Sequence, residues 1–127
     1  MNRSKTGVPG LPTNPNPAKV INLSLGTGGP CSADDESAVA DAIARGAVVV
    51  AAAGNTAGRD AGSPANCSGV IGVAGLRHIG TKVGFSDLGS SIAIAAPGGN
   101  CVNLGSNEPC LYPILTTIDS GTRGPVA

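Results

Sequence analysis

Short apolar runs separated by glycine- and proline-rich breaks dominate this sequence. The runs are rich in Val, Ile, Leu and Ala, and they predict buried strands at residues 19–25, 48–53, 70–74, 92–96 and 114–118. Between the first two runs, Val39, Ala42 and Ile43 recur at the spacing of one helical face. The pattern therefore predicts a helix between two strands, continuing to about Arg45.

The predicted helix has a clear start and a clear end. Ser32 is followed three residues later by Asp35, the spacing of a capping box, and the acidic residues 34–36 favour the positive end of a helix. This electrostatic interpretation is preferred over a calcium site at the same acids. Gly46 supplies the end of the helix. A strand, a helix and a second strand within residues 20–53 form a crossover, which implies parallel pairing.

The second predicted strand stops at Gly54 and Asn55. Three alanines at 51–53 precede the glycine, so the carboxyl end of this strand has no side-chain bulk and its backbone can be approached closely. Asn55 places a carboxamide just beyond that end. In open α/β sheets, ligands bind in the crevice outside the carboxyl ends of the strands. A Gly-Asn pair is also typical of a plain turn, and the local sequence alone favours that interpretation while leaving the ligand site open.

The two ends of the chain differ in composition from its middle. Residues 1–18 hold four prolines among Gly, Asn and Thr, which predicts a loop segment. Residues 19–118 contain all the predicted strands, with a further short extended piece at Phe85 and Ser86. Residues 119–127 have turn composition without periodicity, and we expect them to be a tail cut off within a longer domain.

Composition excludes several classes of function. The 127 residues suit one domain, and eight acidic against eight basic residues give a net charge of zero, which argues against nucleic acid and membrane surfaces as partners. One Tyr, one Phe and no Trp leave no aromatic platform for stacking bases. No apolar run approaches the roughly 20 residues that span a bilayer. After Thr6 the chain continues into Gly and Pro, so we expect no signal peptide in this chain.

The four cysteines favour disulfides over a zinc site. Cys31, Cys67, Cys101 and Cys110 show no Cys-x-x-Cys spacing, and the single histidine is far from all of them. Three pairings are possible. Cys101 with Cys110 and Cys31 with Cys67 is the most economical, because it closes one short and one medium loop. Disulfides indicate an oxidising compartment.

Six stretches in order carry a family resemblance. They are 20–26 (VINLSLG), 48–55 (VVVAAAGN), 62–65 (GSPA), 70–74 (VIGVA), 85–86 (FS) and 94–98 (IAAPG). Together they resemble the central part of a subtilisin-like serine protease, or subtilase, of the secreted bacterial branch. The resemblance implies an α/β fold with a partial subtilisin-like doubly wound parallel sheet, an incomplete three-layer sandwich. It also implies that the parent protein is secreted.

The resemblance gives individual residues a role. Asn55 matches the oxyanion-hole asparagine, whose amide donates to the negative oxygen of the tetrahedral intermediate. The backbone of Ser24, Leu25 and Gly26 matches the segment that pairs with an extended polypeptide substrate. Two sets of small residues match the walls and base of a specificity pocket that we expect to be roomy and apolar: Ala52, Ala53 and Gly54, and opposite them Gly62, Ser63, Pro64 and Ala65. No metal site and no cofactor is expected in this chain, whereas calcium is possible in the parent enzyme.

The catalytic triad of the family has no match in this sequence. The Asp after an early strand, the His that opens a helix and the Ser of a Gly-Thr-Ser-Met-Ala motif are missing, and Gly121-Thr122-Arg123 fits the loop before that motif. His78 falls in a loop after the third strand and is expected to be an ordinary surface residue. We therefore predict part of a secreted serine endopeptidase that is inactive without flanking segments of its parent.

Two alternatives differ from this prediction. A truncated pseudo-protease would bind extended peptides through residues 24–26 without cutting them. A dinucleotide site at residues 26–31 is the weaker alternative, because Cys31 replaces the third glycine of the fingerprint and no acidic residue ends the second strand.

Overall fold

The computed structural model describes residues 14–99 and 114–115, together with the backbone of 118–119 and 125–126. Its strands and helix follow one another as β1 Val20–Leu23, α1 Ala33–Ala44, β2 Val48–Ala52, β3 Ile71–Leu76 and β4 Ile92–Pro97. Two shorter strands, β5 Ile118–Asp119 and β6 Pro125–Val126, come later in the chain.

Strands β1 to β4 form one sheet in sequence order, and every neighbouring pair is parallel. The pairing of Val20 with Val48 sets the register of the first pair. Helix α1 forms the crossover between β1 and β2, and it buries Val39. Because the strands are parallel, their carboxyl ends meet at one edge of the sheet. The predicted parallel α/β arrangement is confirmed, although β1 ends earlier than expected, at Leu23, and β3 continues to Leu76.

The short extended piece predicted at Phe85 is wrong, because this residue lies in a turn. The backbone N–H of Ser86 donates to the carbonyl of Val83 at 3.1 Å. The ammonium group of Lys82 also donates to three backbone carbonyls, those of Val83, Gly84 and Ser86, at 2.9–3.2 Å. Gathering three carbonyls around one cation bends the backbone and is incompatible with an extended segment.

The last predicted strand, 114–118, is wrong at its first two residues. Ile114 and Leu115 belong to no strand and are 58% and 87% exposed. Instead Ile118–Asp119 pairs antiparallel with Pro125–Val126, so the expected featureless tail contains one strand of this pair. Short antiparallel pairs draw on backbone hydrogen bonds more than on side-chain periodicity, which is why the pattern did not indicate them.

Alanines form the centre of the core. The buried cluster consists of Ala51, Ala53, Ala61, Ala65 and Ala74, each at most 4% exposed, with Leu23, Val70 and Ile92 packed against it. Such small side chains let the loop before β3 approach the ends of β2 and β3 closely. No helix in the described ranges is both long and apolar enough to cross a bilayer.

Candidate functional site

A cavity of about 210 Å³ lies at the carboxyl end of β2. Four backbone stretches enclose it: the loop after β1, the end of β2 with the residues that follow, the loop before β3, and the loop after β3. The lining residues are Gly26, Thr27, Gly28, Gly29, Ala52, Ala53, Gly54, Asn55, Thr56, Arg59, Asp60, Gly62, Ser63 and Asp87.

The loop after β1 and the loop before β3 touch through their backbones. The N–H of Thr27 donates to the carbonyl of Ser63 at 2.8 Å, and the two residues form an antiparallel bridge. A Cβ added to Gly62 would overlap the carbonyl oxygen of Thr27 and lie 3.0 Å from Cα of Gly28. A Cβ added to Gly26 would lie 3.0 Å from the carbonyl oxygen of Ser63. Glycine at both positions therefore lets the two walls meet.

We expect Gly62→Ala to lower the free energy of unfolding by about 2–3 kcal/mol, because the new methyl group must displace backbone atoms. Gly28→Ala in the facing loop is the matched control. Nothing lies within 4 Å of the Cβ added there, so a change of at most about 0.5 kcal/mol is expected. Urea unfolding followed by circular dichroism measures both changes. Equal unfolding midpoints for the two variants would contradict the close backbone approach.

The first turn of α1 holds the loop before β3. Oδ2 of Asp35 accepts a hydrogen bond from the buried Ser63 hydroxyl at 2.6 Å, and Oε2 of Glu36 accepts one from the Ser68 N–H at 3.1 Å. Ser32 caps the helix by accepting from the Asp35 N–H at 3.1 Å. The Ser63 hydrogen bond lowers the pKa of Asp35, and hydrogen bonding to Ser68 lowers the pKa of Glu36.

These lowered pKa values make the anchored loop sensitive to acid. A carboxyl group whose pKa is lower in the folded chain stabilises the fold above its unfolded pKa, and this contribution disappears as the pH falls through the folded value. We therefore expect the free energy of unfolding to decrease as the pH falls below about 4. The double variant Asp35→Asn, Glu36→Gln should flatten this decrease.

Urea midpoints measured from about pH 2.5 to pH 7 give the pH dependence directly. Asp34→Asn is the matched control, because Asp34 lies in the same helical turn but makes no hydrogen bond to the loop before β3 within the described structure. The same acid sensitivity in the double variant and in the original chain would rule out the two carboxylates as the cause.

A disulfide adds a covalent link between the same elements. Cys31, just before α1, is bonded to Cys67 across a sequence separation of 36 residues. This bond confirms one half of the preferred pairing, and Cys101 and Cys110 lie outside the described residues. The two sulfurs and the Glu36 carboxylate lie within 4.8 Å of one another. Sulfurs bonded to each other are not thiolate ligands, so this cluster does not form a metal site.

Asn55 lies exposed beyond the end of β2 and contributes to the cavity lining. Gly54 precedes it with a φ of +113°, a value that favours glycine and turns the chain out of the strand. The structure brings seven predicted site residues together around the cavity: Gly26, Ala52, Ala53, Gly54, Asn55, Gly62 and Ser63. Four others do not line it: Ser24, Leu25, Pro64 and Ala65.

The lining of the cavity combines small residues with ionisable ones. Arg59, Asp60 and Asp87 contribute to it beside the small wall residues. Sequence reasoning missed all three. For the first two, a signal was available in their position between Gly58 and Gly62, just after the predicted end of the second strand.

A larger cavity of about 520 Å³ lies between α1 and the sheet. Its walls include Leu23, Leu25 and Val39. Three polar residues line it, Thr27, Asp35 and Ser63, and the last two are hydrogen-bonded to each other. Ligand sites need polar groups that converge on the ligand, so the smaller cavity is the better candidate site.

Comparison with known proteins explains why the six stretches that carry the family resemblance occur together in this chain. The subtilase family model matches residues 4–124 of the chain. The chain belongs to the subtilase family. This match confirms the family resemblance that the six stretches carry, and it relates this subtilase to serine proteases.

Individual relatives of the subtilase cover most of its length. The extracellular protease of Xanthomonas campestris pv. campestris is 44% identical over 119 residues, 93% of this chain and 18% of that protein. The extracellular basic protease of Dichelobacter nodosus is 38% identical over 121 residues, 94% of this chain and 18% of that protein. A solved protease structure from Pseudoalteromonas arctica has a TM-score of 0.68 and 47% identity, over 73% of this chain and 28% of that chain. The subtilase chain thus spans 18% of the length of these two curated relatives.

Proposed function

We propose that this chain supplies the specificity pocket and the oxyanion donor of a secreted subtilisin-like serine endopeptidase. The observation that carries the proposal is the cavity at the carboxyl end of β2, with exposed Asn55 in its lining. Family membership supports peptide-bond hydrolysis as the reaction. Two relatives named as extracellular proteases support a secreted enzyme. The nucleophilic serine and its base would come from other segments of the protease.

In the proposed reaction, a polypeptide substrate lies extended along Ser24, Leu25 and Gly26. Outside the strand ladders, the backbone N–H and C=O groups of these three residues make no backbone hydrogen bond to any described residue. These groups are therefore available to pair with a peptide. The substrate side chain next to the scissile bond would then enter the cavity.

Asn55 would act when charge develops on the substrate. As the serine hydroxyl gives its proton to the base and its oxygen bonds to the scissile carbonyl carbon, the carbonyl π electrons move to the carbonyl oxygen, and the Asn55 carboxamide donates a hydrogen bond to that oxyanion. When the intermediate collapses, the C–N bond breaks and the leaving amine takes that proton from the base. Water, deprotonated by the same base, then attacks the acyl-serine carbonyl carbon, and the serine oxygen leaves with that proton. A donor aimed at the oxyanion rather than at the ground-state carbonyl stabilises mainly the transition state.

Calcium binding is common among subtilases, but the described residues do not provide an evident calcium site. Calcium requires about six to eight oxygen ligands. The cluster of possible metal ligands found in the described part of the chain has one carboxylate, that of Glu36, beside two disulfide sulfurs. The proposed reaction therefore contains no step that depends on calcium.

A chimera tests the proposal. This chain replaces the stretch that it matches in the Xanthomonas campestris protease, so that the remaining segments come from that relative. The chimera is expected to hydrolyse casein and to be inactivated by a fluorophosphonate that labels active serines, whereas the isolated chain does neither. A chimera with native-like circular dichroism that cleaves nothing would contradict the proposal.

Peptide binding without cleavage is the second candidate function. It is favoured by the open backbone of residues 24–26 and by the 62% exposure of Leu25 beside it. Titration of the isolated chain with an extended peptide, followed through the amide resonances of residues 24–26, tests this function. Saturable shifts without product would support it, and unchanged resonances would exclude it.

A further inference from the structure

Asp87 is a buried carboxylate behind the loop that carries Asn55. It is 3% exposed and makes no ion pair with any described residue. Its Oδ1 accepts hydrogen bonds from the Thr56 N–H at 3.0 Å, the Thr56 hydroxyl at 2.9 Å and the Gly58 N–H at 3.2 Å. Its Oδ2 accepts from the Thr56 hydroxyl at 2.9 Å. The polar contacts of this carboxylate are therefore all directed at the loop after β2.

The backbone of Asp87 is hydrogen-bonded to Gly54, the residue before Asn55. Its N–H donates to the carbonyl of Gly54 at 3.0 Å. A Cβ added to Gly54 would overlap Oδ2 of Asp87, so the close approach requires glycine. Gly54 and Thr56, the two neighbours of Asn55 in the chain, are thus both hydrogen-bonded to Asp87.

We propose that Asp87 is a positioning residue that holds the Asn55 carboxamide where the oxyanion forms. The Asn55 side chain is exposed and makes no hydrogen bond of its own to the described residues, so its direction depends on the backbone that carries it. A donor held in place stabilises the transition state without first being reoriented. This inference rests on the proposed function of Asn55 and adds a residue, 32 positions along the chain, that acts through it.

Two substitutions separate the hydrogen bonds of Asp87 from its negative charge. Oδ1 alone accepts both backbone N–H groups, from Thr56 and Gly58. In Asp87→Asn, a carboxamide oxygen in the place of Oδ1 preserves both bonds, whereas Asp87→Ala removes them. Asp34→Asn is a control, because Asp34 lies on the exposed side of α1 and makes no bond to this loop.

Amide hydrogen exchange of the isolated chain tests the structural half of the proposal. Asp87→Ala should speed exchange at Thr56 and Gly58 by at least about tenfold, and Asp87→Asn by less than about threefold. The Ala53 amide, bonded to the Val73 carbonyl at 3.0 Å, reports unfolding of the sheet and should not change. If the Ala53 rate does change in Asp87→Ala, the rates at Thr56 and Gly58 are compared with the Ala53 rate of the same variant, and only the excess over Ala53 counts. No excess at Thr56 and Gly58 in Asp87→Ala overturns the proposal.

Kinetics of the chimera test the functional half. Asp87→Ala should lower kcat by about tenfold to a hundredfold with KM within about twofold, and Asp87→Asn should restore most of the activity. In an Asn55→Ala background, Asp87→Ala should have no further effect, because both residues act through the same donor. An effect that persists in that background would mark a general structural role and overturn the inference. Loss of activity in the unsubstituted chimera, or no effect of Asn55→Ala, would count against the proposed function instead.

Discussion

Asn55→Ala should lower the kcat of the chimera by about a hundredfold to a thousandfold and leave KM nearly unchanged. In subtilisin, a member of the same family, loss of one oxyanion donor has this effect. The physical reason is that the bond gains most of its strength when the carbonyl oxygen becomes negative, so its loss affects the transition state far more than the bound substrate. Because the side chain is exposed, folding should be unaffected.

Asn55→Asp is the matched control for this experiment. It has the same shape but replaces the amide donor by an acceptor, so the loss in kcat should be at least as large as for alanine. Steady-state kinetics with a chromogenic peptide separate kcat from KM for both variants. A rise in KM with unchanged kcat would show that Asn55 binds substrate but does not stabilise the oxyanion.

Replacing both Cys31 and Cys67 by alanine should lower the free energy of unfolding by about 3–4 kcal/mol, which is the chain-entropy value for a loop of this length. The bond joins the start of α1 to the loop before β3, so its loss also loosens one wall of the cavity. Urea unfolding under oxidising conditions measures the change in stability.

The same comparison under reducing conditions provides the control. The original chain then lacks the bond as well, and the difference between it and the double variant should shrink to about 1 kcal/mol, the loss of packing around the buried Cys67. A difference that persists unchanged after reduction would show that packing, and not the covalent link, stabilises this region.

Local patterns were sufficient for the elements that depend on neighbouring residues. The start of α1 follows from Ser32, whose side chain does accept from the Asp35 N–H, and the apolar runs indicated β2 and β3. The parallel arrangement followed from placing a helix between two strands. In the site, the bare end of β2 before Gly54 was visible from the three alanines alone.

Interactions between distant residues could not be predicted in this way. The Asp35 carboxylate was interpreted through the helix end, whereas its partner is Ser63, 28 positions away. Asp87 had no local feature that marked it as buried, because the amides that satisfy it belong to Thr56 and Gly58, about 30 positions earlier. The turn at Phe85 likewise depends on the hydrogen bonds that the Lys82 ammonium donates to three backbone carbonyls.

The parallel order of the sheet also determines how the chain can fold. Val20 pairs with Val48, Val50 with Ile71 and Gly72 with Ile92, so partners are at least 20 positions apart. None of these pairs can form as a local hairpin, and each requires closure of a long loop before any contact compensates for the lost chain entropy. Assembly of this sheet is therefore slow relative to a hairpin-built sheet of the same size, and each strand stays open to pairing with other chains until its own neighbour has joined.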